Sequence, residues 1–343
     1  MQPFTIDPAA LGDLSALVGV TITEDARAGG KRLFQKGRRL GQDDLALLSS
    51  LDDPVHAVRL EPDDVHENDA GIRLARAVAG GGLEIRGPVQ SRYNLVSTVK
   101  GLLRVDEERL LDIDTIPGVA VFTLPDRMTV VPGRIAAGVK ITPVALPERD
   151  LARAEALAAG DPVVRVEPFR PLKVGVVTTE GMSGTLRERF REAVERKVRW
   201  YGASVARFLE PVAETDAVAD AFASLLADGA DVILAAGGNT IDPLDPALLA
   251  LPEIGAKMLR FGAPAHPGSM FWMAERGETP IINLASCSMY SQATVADLVL
   301  PRVMAGERVT AMDLHRLGIG GLLDRGMSWR FPPYGEEAES EEG

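Results

Sequence analysis

Two adjacent glycines, Gly237 and Gly238, are followed by Asn239 and Thr240 and then by two acids, Asp242 and Asp245. Adjacent glycines let backbone N–H groups approach a phosphate closely, and a helix starting just beyond adds its positive end. Two carboxylates in one loop could hold a hard cation such as Mg²⁺, with oxygen ligands shared between protein and phosphate. Residues of these types in this order point to a phosphorylated ligand bound with a divalent cation. The same loop also suits a plain strand-to-helix turn in which an Asp caps the helix.

The elements around the loop fit the first reading. Val232 to Ala236 is a short apolar run bounded by turn residues, which suits a central strand of a parallel sheet. In such sheets ligands bind beyond the carboxyl ends of the strands. Two further strand ends could converge there. One is Thr178-Thr179-Glu180 after the run Val174 to Thr178, and the other is Ala285-Ser286-Cys287-Ser288 after Pro280 to Leu284. Ser286, Ser288 and Glu180 equally suit helix caps or a solvated loop. Thr185-x-x-Glu188 predicts a capping box opening a helix with a stripe of Leu186, Phe190, Val194 and Val198. Ser204 to Phe208 predicts a strand and Asp216 to Asp228 a helix, stopped at Gly229. Strand, helix, strand, helix, strand with short links is a parallel α/β layout. Met258 to Phe261 and Ser269 to Met273 add strands at an edge. Met289 to Met304 adds a closing helix that Pro301 should kink or end early.

The chain is 343 residues long, comfortable for two domains. Residues 1–165 read as a smaller α+β module. It has a strand at Val18 to Thr23 and helices at Gly41 to Leu51, Asp64 to Ala79, Leu95 to Leu103, Glu107 to Leu111 and Leu151 to Ala159. Strands at Val119 to Leu124, Met128 to Val131 and Val139 to Val144 complete it. Pro162, Pro168 and Pro171 mark the boundary, and residues 170–320 form the α/β domain. Residues 330–343 read as a disordered acidic tail, with Glu336, Glu337, Glu339, Glu341 and Glu342 among its last eight residues. The net charge is −12, and without those five acids the body is still −7. With no Lys/Arg cluster, nucleic acid is not an expected partner. A lone cysteine, Cys287, excludes an intrachain disulfide and fits a cytoplasmic home. No apolar run approaches the ~20 residues of a membrane span, so no membrane partner is expected.

Other catalytic signatures are missing. The turn Thr178 to Gly181 lacks a dinucleotide fingerprint. Gly133 to Lys140 has the glycine spacing of a P-loop, but Val139 stands where Lys is required and Ile141 where Ser or Thr would bind Mg²⁺, so it reads as a turn. His56, His66, His266 and His315 are scattered, without metal-ligand spacing. Cys287 reads as a packed small residue, since no base lies near it.

Residues 172–310 resemble the molybdopterin-binding domain shared by molybdopterin adenylyltransferases (MogA-type) and molybdenum insertases (MoeA-type). Thr179-Glu180 resembles the family's first-loop turn, and Gly237 to Asp245 its Gly-Gly loop with a closing Asp. Lys257 to Met273, containing His266-Pro267-Gly268, resembles the insertases' Pro-Gly-Lys-Pro segment. Pro280 to Ala305 resembles the strand, loop and helix that follow. Residues 65–145, including Asn94-Leu95 and Val139 to Pro143, resemble the N-terminal region of a group of insertase-like proteins. The resemblance implies a three-layer α/β/α fold with a mostly parallel sheet, preceded by the α+β module.

It also implies roles. Gly237, Gly238 and Thr240 would contact the terminal phosphate of molybdopterin, with Thr179, Asn239, Ser286 and Ser288 as further cofactor-binding residues. Asp245 and Asp242 would position Mg²⁺ or a nucleotide phosphate such as that of ATP or AMP, and Glu180 would take the place of the first-loop acid. Catalysis would fall to Asp245, Glu180 and Asp242. Expected partners are molybdopterin or its adenylylated form, and a molybdoenzyme or another cofactor-biosynthesis protein. Relatives commonly form dimers or trimers, which implies a homo-oligomer. Three features depart from the pattern. Glu180 stands where Asp is usual, residues 285–288 lack the usual proline and glycines, and the insertases' C-terminal β-barrel has no counterpart. The expected function is molybdopterin binding in molybdenum cofactor biosynthesis or handling, by Mg²⁺-assisted adenylyl or molybdenum transfer. The alternatives are a non-catalytic carrier or sensor, and a CinA-type nucleotide hydrolase.

Overall fold

Val232–Ala236 is buried at every position and lies inside a six-stranded sheet. The structure is a computed structural model that describes residues 1–237, 240–284 and 294–334. The sheet runs in the order Ser204–Leu209, Lys173–Thr178, Val232–Ala236, Thr279–Leu284, Trp272–Arg276, Lys257–Phe261. The first four strands are parallel, and the last two are antiparallel at the edge. At the entry to the two central strands, Asp231 N–H donates to the Lys173 carbonyl (2.9 Å) and Lys173 N–H to Asp231 Oδ2 (2.7 Å).

Side chains alternate across these strands and build a core on each face. On one face Val174, Val176, Leu234 and Ile282 meet Phe190, Val194 and Val198 of helix Gly184–Trp200 and Val299 of helix Val295–Met304. On the other, Val177, Ile233, Ala235 and Ile281 meet Phe222 and Leu225 of helix Thr215–Ala227 and Ala250 of helix Pro246–Glu253. Gly175 lets the second layer come close, because a Cβ there would stand 2.7 Å from Leu225 Cδ1. The fold class is α/β with helices on both faces of a largely parallel sheet.

The chain divides into two compact units, residues 1–98, 104–126 and 132–166 in one and 99–103, 127–131 and 167–343 in the other. In the first, an antiparallel sheet orders Val119–Thr123, Ile135–Ile141, Arg92–Ser97 and Leu83–Val89. Helices Glu67–Val78, Glu107–Asp114 and Glu148–Ala158 belong to the same unit. A smaller antiparallel sheet of Gln2–Ile6, Val55–Arg59 and Thr21–Ile22 carries its own core of Val20, Ile22, Leu45 and Leu48. In the second unit, Thr129 and Val130 pair with Leu102 and Gly101.

Several expectations are corrected. Leu95 to Leu103 is not helical but belongs to two strands, Arg92–Ser97 and Gly101–Val105. Tyr93 to Ser97 is buried without alternation between two neighbouring strands, so its apolar run carries no strand period. The Thr185–Glu188 capping box does not form; Ser183 is the N-cap and makes no side-chain cap bond, so Thr185 lies inside the first turn. Leu186 is exposed, because the buried stripe begins only at Phe190. Pro301 lies in the last turn of a helix that runs on to Met304, and residues 289–293 of the expected helix lie outside the described residues. Phe331 and Tyr334, within the stretch expected as tail, are buried. Among the described residues no helix is long and apolar enough to cross a membrane.

Candidate functional site

Thr178, Ala236 and Leu284 are register partners across three parallel strands, so the loops that follow leave one sheet edge at one level. After Lys173–Thr178 the chain moves to the edge strand Ser204–Leu209, and Val232–Ala236 lies on its opposite side. The order of strands therefore reverses beside the first strand. Helix Gly184–Trp200 packs on one face and helix Pro246–Glu253 on the other. Such a switch point is where open α/β sheets hold ligands.

The first and second loops touch. Gly237 has φ +87°, and a Cβ on it would stand 2.9 Å from both Glu180 Cδ and Oε1. Glu180, itself exposed, thus lies over the Gly237 Cα, a position no larger residue could share without moving it. The Gly237 N–H donates to the Leu284 carbonyl (3.1 Å), so this glycine supplies room rather than a spare donor. The hydroxyl of buried Thr178 receives a long bond from Glu180 N–H (3.5 Å), and Thr179 is half-buried beside it.

The acids of the second loop are shaped by local backbone bonds. Exposed Asp242 accepts from Leu244 N–H (2.9 Å), and its carbonyl accepts from Asp245 N–H (3.1 Å). Asp245 is 6% exposed and caps helix Pro246–Glu253, accepting from Ala247 N–H (2.9 Å). Thr240 is half-buried between them and the strand. Gly238, Asn239, Ser286, Cys287 and Ser288 lie outside the described residues. Among the described residues no group of three or more His, Cys, Asp or Glu side chains is placed to hold a metal ion. Asp242 and Asp245 suit Mg²⁺ only if phosphate and water oxygens complete its shell, the usual arrangement for that ion.

Sequence reasoning missed two features, the first of them beside the lip. Asn283 is 3% exposed, and among the described residues its Oδ1 has no hydrogen-bond partner. It pairs in register with Ala235 and, by alternation with Ile282, points to the face that carries helix Pro246–Glu253. Its one signal in sequence is a polar residue inside an apolar strand. The second is a buried polar chain. Lys197 Nζ donates to Asp297 Oδ1 (2.8 Å), Tyr334 O–H to the same oxygen (2.9 Å), and Thr294 O–H to Oδ2 (2.8 Å). The hydroxyls of Tyr201 and Tyr334 bond each other at 2.8 Å. The segment His266 to Gly268 approaches the start of helix Val295–Met304, since a Cβ on Gly268 would stand 2.7 Å from Val295 N.

No protein-family model matches the chain, and no curated protein matches it. Among solved structures, the molybdopterin biosynthesis enzyme MoaB from Thermus thermophilus is similar at 21% identity, over 40% of this chain and 98% of that one, with a TM-score of 0.28. A molybdopterin biosynthesis MoeA protein from Pyrococcus horikosii is similar at 14% identity over 73% and 81%, with a TM-score of 0.31. A MogA structure is similar at 19% identity over 39% and 92%, with a TM-score of 0.26. At such values the likeness says nothing of this chain's activity.

Proposed function

We propose that the second unit binds molybdopterin, or its adenylylated form, at the carboxyl lip of its sheet and serves molybdenum cofactor biosynthesis or handling. The observation that carries this reading is the contact of Glu180 with Gly237 at the switch point, where register brings three strand ends to one level. The resemblance of the Gly-Gly loop and its flanking segments supplies the ligand class.

In this reading Gly237 makes room for the first-loop acid, while Gly238, Asn239 and Thr240 contact the terminal phosphate. Thr179, Ser286 and Ser288 line the remaining edge. Glu180, Asp242 and Asp245 carry the negative charge that a phosphate tolerates only with a cation between, and Mg²⁺, when bound, neutralises it. If the protein turns its ligand over, the residues act by positioning and charge neutralisation in Mg²⁺-assisted adenylyl or molybdenum transfer. A carrier role is the second reading. The cap bond that ties Asp245 to Ala247 N–H favours it, since a carboxylate held by its own helix is a poorer metal ligand.

Titration of the protein with molybdopterin and with ATP, each with and without Mg²⁺, separates these readings when followed by assays of adenylylation and AMP release. Binding without turnover supports the carrier. Nucleotide cleavage without molybdopterin binding supports a CinA-type hydrolase and removes the proposal. Asp245→Asn keeps the helix cap but halves the loop's charge. It should leave stability within a few tenths of a kcal/mol while weakening Mg²⁺-dependent binding, whereas Asp245→Ala should also cost about 1 kcal/mol. Unchanged Mg²⁺ dependence in Asp245→Asn would remove Asp245 from the site.

A further inference from the structure

The first unit contains a cavity of about 460 Å³ that nothing above uses. Small-molecule sites commonly span ~300–1,000 Å³, so it has room for a ligand of that kind. Its wall includes Glu67, the first residue of helix Glu67–Val78, which is only 8% exposed. The Glu67 carboxylate stands over Gly37, where a Cβ would collide with its Oε1. Among the described residues none donates a hydrogen bond or forms an ion pair to this carboxylate. The other acid of the cavity is satisfied: Asp44 takes two bonds from Arg38 (3.1 and 2.8 Å) and one from Gly41 N–H (2.8 Å). His66 is also occupied, facing the Gly37 carbonyl through Nε2 (3.2 Å) and accepting from Asn68 N–H at Nδ1 (3.3 Å).

With no donor or cation from the described residues on it, the Glu67 carboxylate is left to whatever fills the cavity. The helix start favours negative charge there but supplies no hydrogen bond to it. An anion alone is excluded by the charge of Glu67, and a metal ion by the lack of a second unengaged carboxylate in the cavity. Of the two cations in the wall, Arg38 is held by Asp44, while exposed Lys36, whose backbone N–H is held by Asp25, has the Asp25 carboxylate as a charged neighbour. The Glu67 carboxylate and the exposed Lys36 thus line one space, with Leu47 and Pro88 as apolar walls.

We infer that this cavity binds a small zwitterion, its guanidinium or ammonium group on Glu67 and its carboxylate toward Lys36. The site is independent of the sheet lip in the second unit. Calorimetric titration with L-arginine, L-lysine and agmatine tests it. At least one of the two amino acids should bind saturably, and agmatine, lacking the carboxylate, more weakly than L-arginine. Glu67→Gln should weaken binding by about tenfold or more, the worth of a charge-assisted hydrogen bond. Leu47→Trp, at a position 43% exposed and so harmless to the core, should block the cavity and abolish binding. Lys36→Met should bring L-arginine to the agmatine level. Absence of saturable binding by both amino acids overturns the inference, as does wild-type affinity in either Glu67→Gln or Leu47→Trp, each checked for folding by circular dichroism.

Discussion

The two faces of the six-stranded sheet are stabilised in different ways. On the face of helices Gly184–Trp200 and Val295–Met304, Lys197, Asp297, Tyr201 and Tyr334 are wired into one buried polar chain. On the face of helices Thr215–Ala227 and Pro246–Glu253, the packed cluster is apolar throughout, and among the described residues the strand residue Asn283 has no partner for its oxygen. On the first face Lys197, Thr294 and Tyr334 all donate to the Asp297 carboxylate, joining side chains from three stretches far apart in sequence. The second leaves an acceptor vacant directly beneath the loop that carries the candidate ligand site. A matched network rigidifies, whereas a vacant acceptor costs stability and persists where something else has a use for it.

Removing Asp297 breaks the first face most severely. Asp297→Ala removes the carboxylate paired with Lys197, whose side chain is 8% exposed, and should cost about 3–5 kcal/mol in urea denaturation. The double substitution Lys197→Met with Asp297→Leu removes both charges and should recover all but about 1 kcal/mol, the share of the lost helix cap. A double variant as unstable as the single one would mean that the ion pair is a net stabiliser.

Alkali should attack the same face. Burial foremost, and the Asp297 charge with it, raises both phenols well above their ordinary value of 10.0. The folded state therefore holds its protons where the unfolded chain releases them. Stability from this source is complete below about pH 10 and falls as pH rises beyond it. Tyr201→Phe with Tyr334→Phe should flatten that loss in melts taken across the alkaline range, at the expense of lower stability near neutrality.

The smallest effect belongs to the second face. Asn283→Leu replaces the orphan oxygen with apolar volume and should leave stability within about 1 kcal/mol of the wild type or slightly above it. If molybdopterin then binds with wild-type affinity, the vacant acceptor has no part in the ligand site and the contrast between faces is one of packing alone.

What could be seen in the sequence follows from how local each signal is. Val232–Ala236 is bounded by Asp231 and Gly237, so its run of apolar residues marked the strand and the loop beyond it. Helix Thr215–Ala227 announced itself through Val218, Phe222 and Leu225 on one face and Gly229 at its end. Arg92–Ser97 was hidden because a strand buried on both sides loses its alternation. The pairing of Lys197 with Asp297 spans 100 residues, and no local pattern encodes it. At the lip, residue types suggested phosphate and cation, but the fact that Glu180 covers Gly237 depends on strand order, which only the folded sheet supplies. Asp245 showed the converse: its helix-capping bond was one of two open readings, and the structure makes it real.

The pair of hydrogen bonds between Asp231 and Lys173 has a reach beyond its own location. It ties the two central strands together at their solvent-facing entry, about 16 Å of extended chain from the lip. Sliding one strand against the other there would shift Glu180 away from Gly237 by the same step. A carboxylate that can never meet a ligand thus sets the tuning of the place where one would sit, and its loss would be felt as slackened recognition at the opposite end of the sheet.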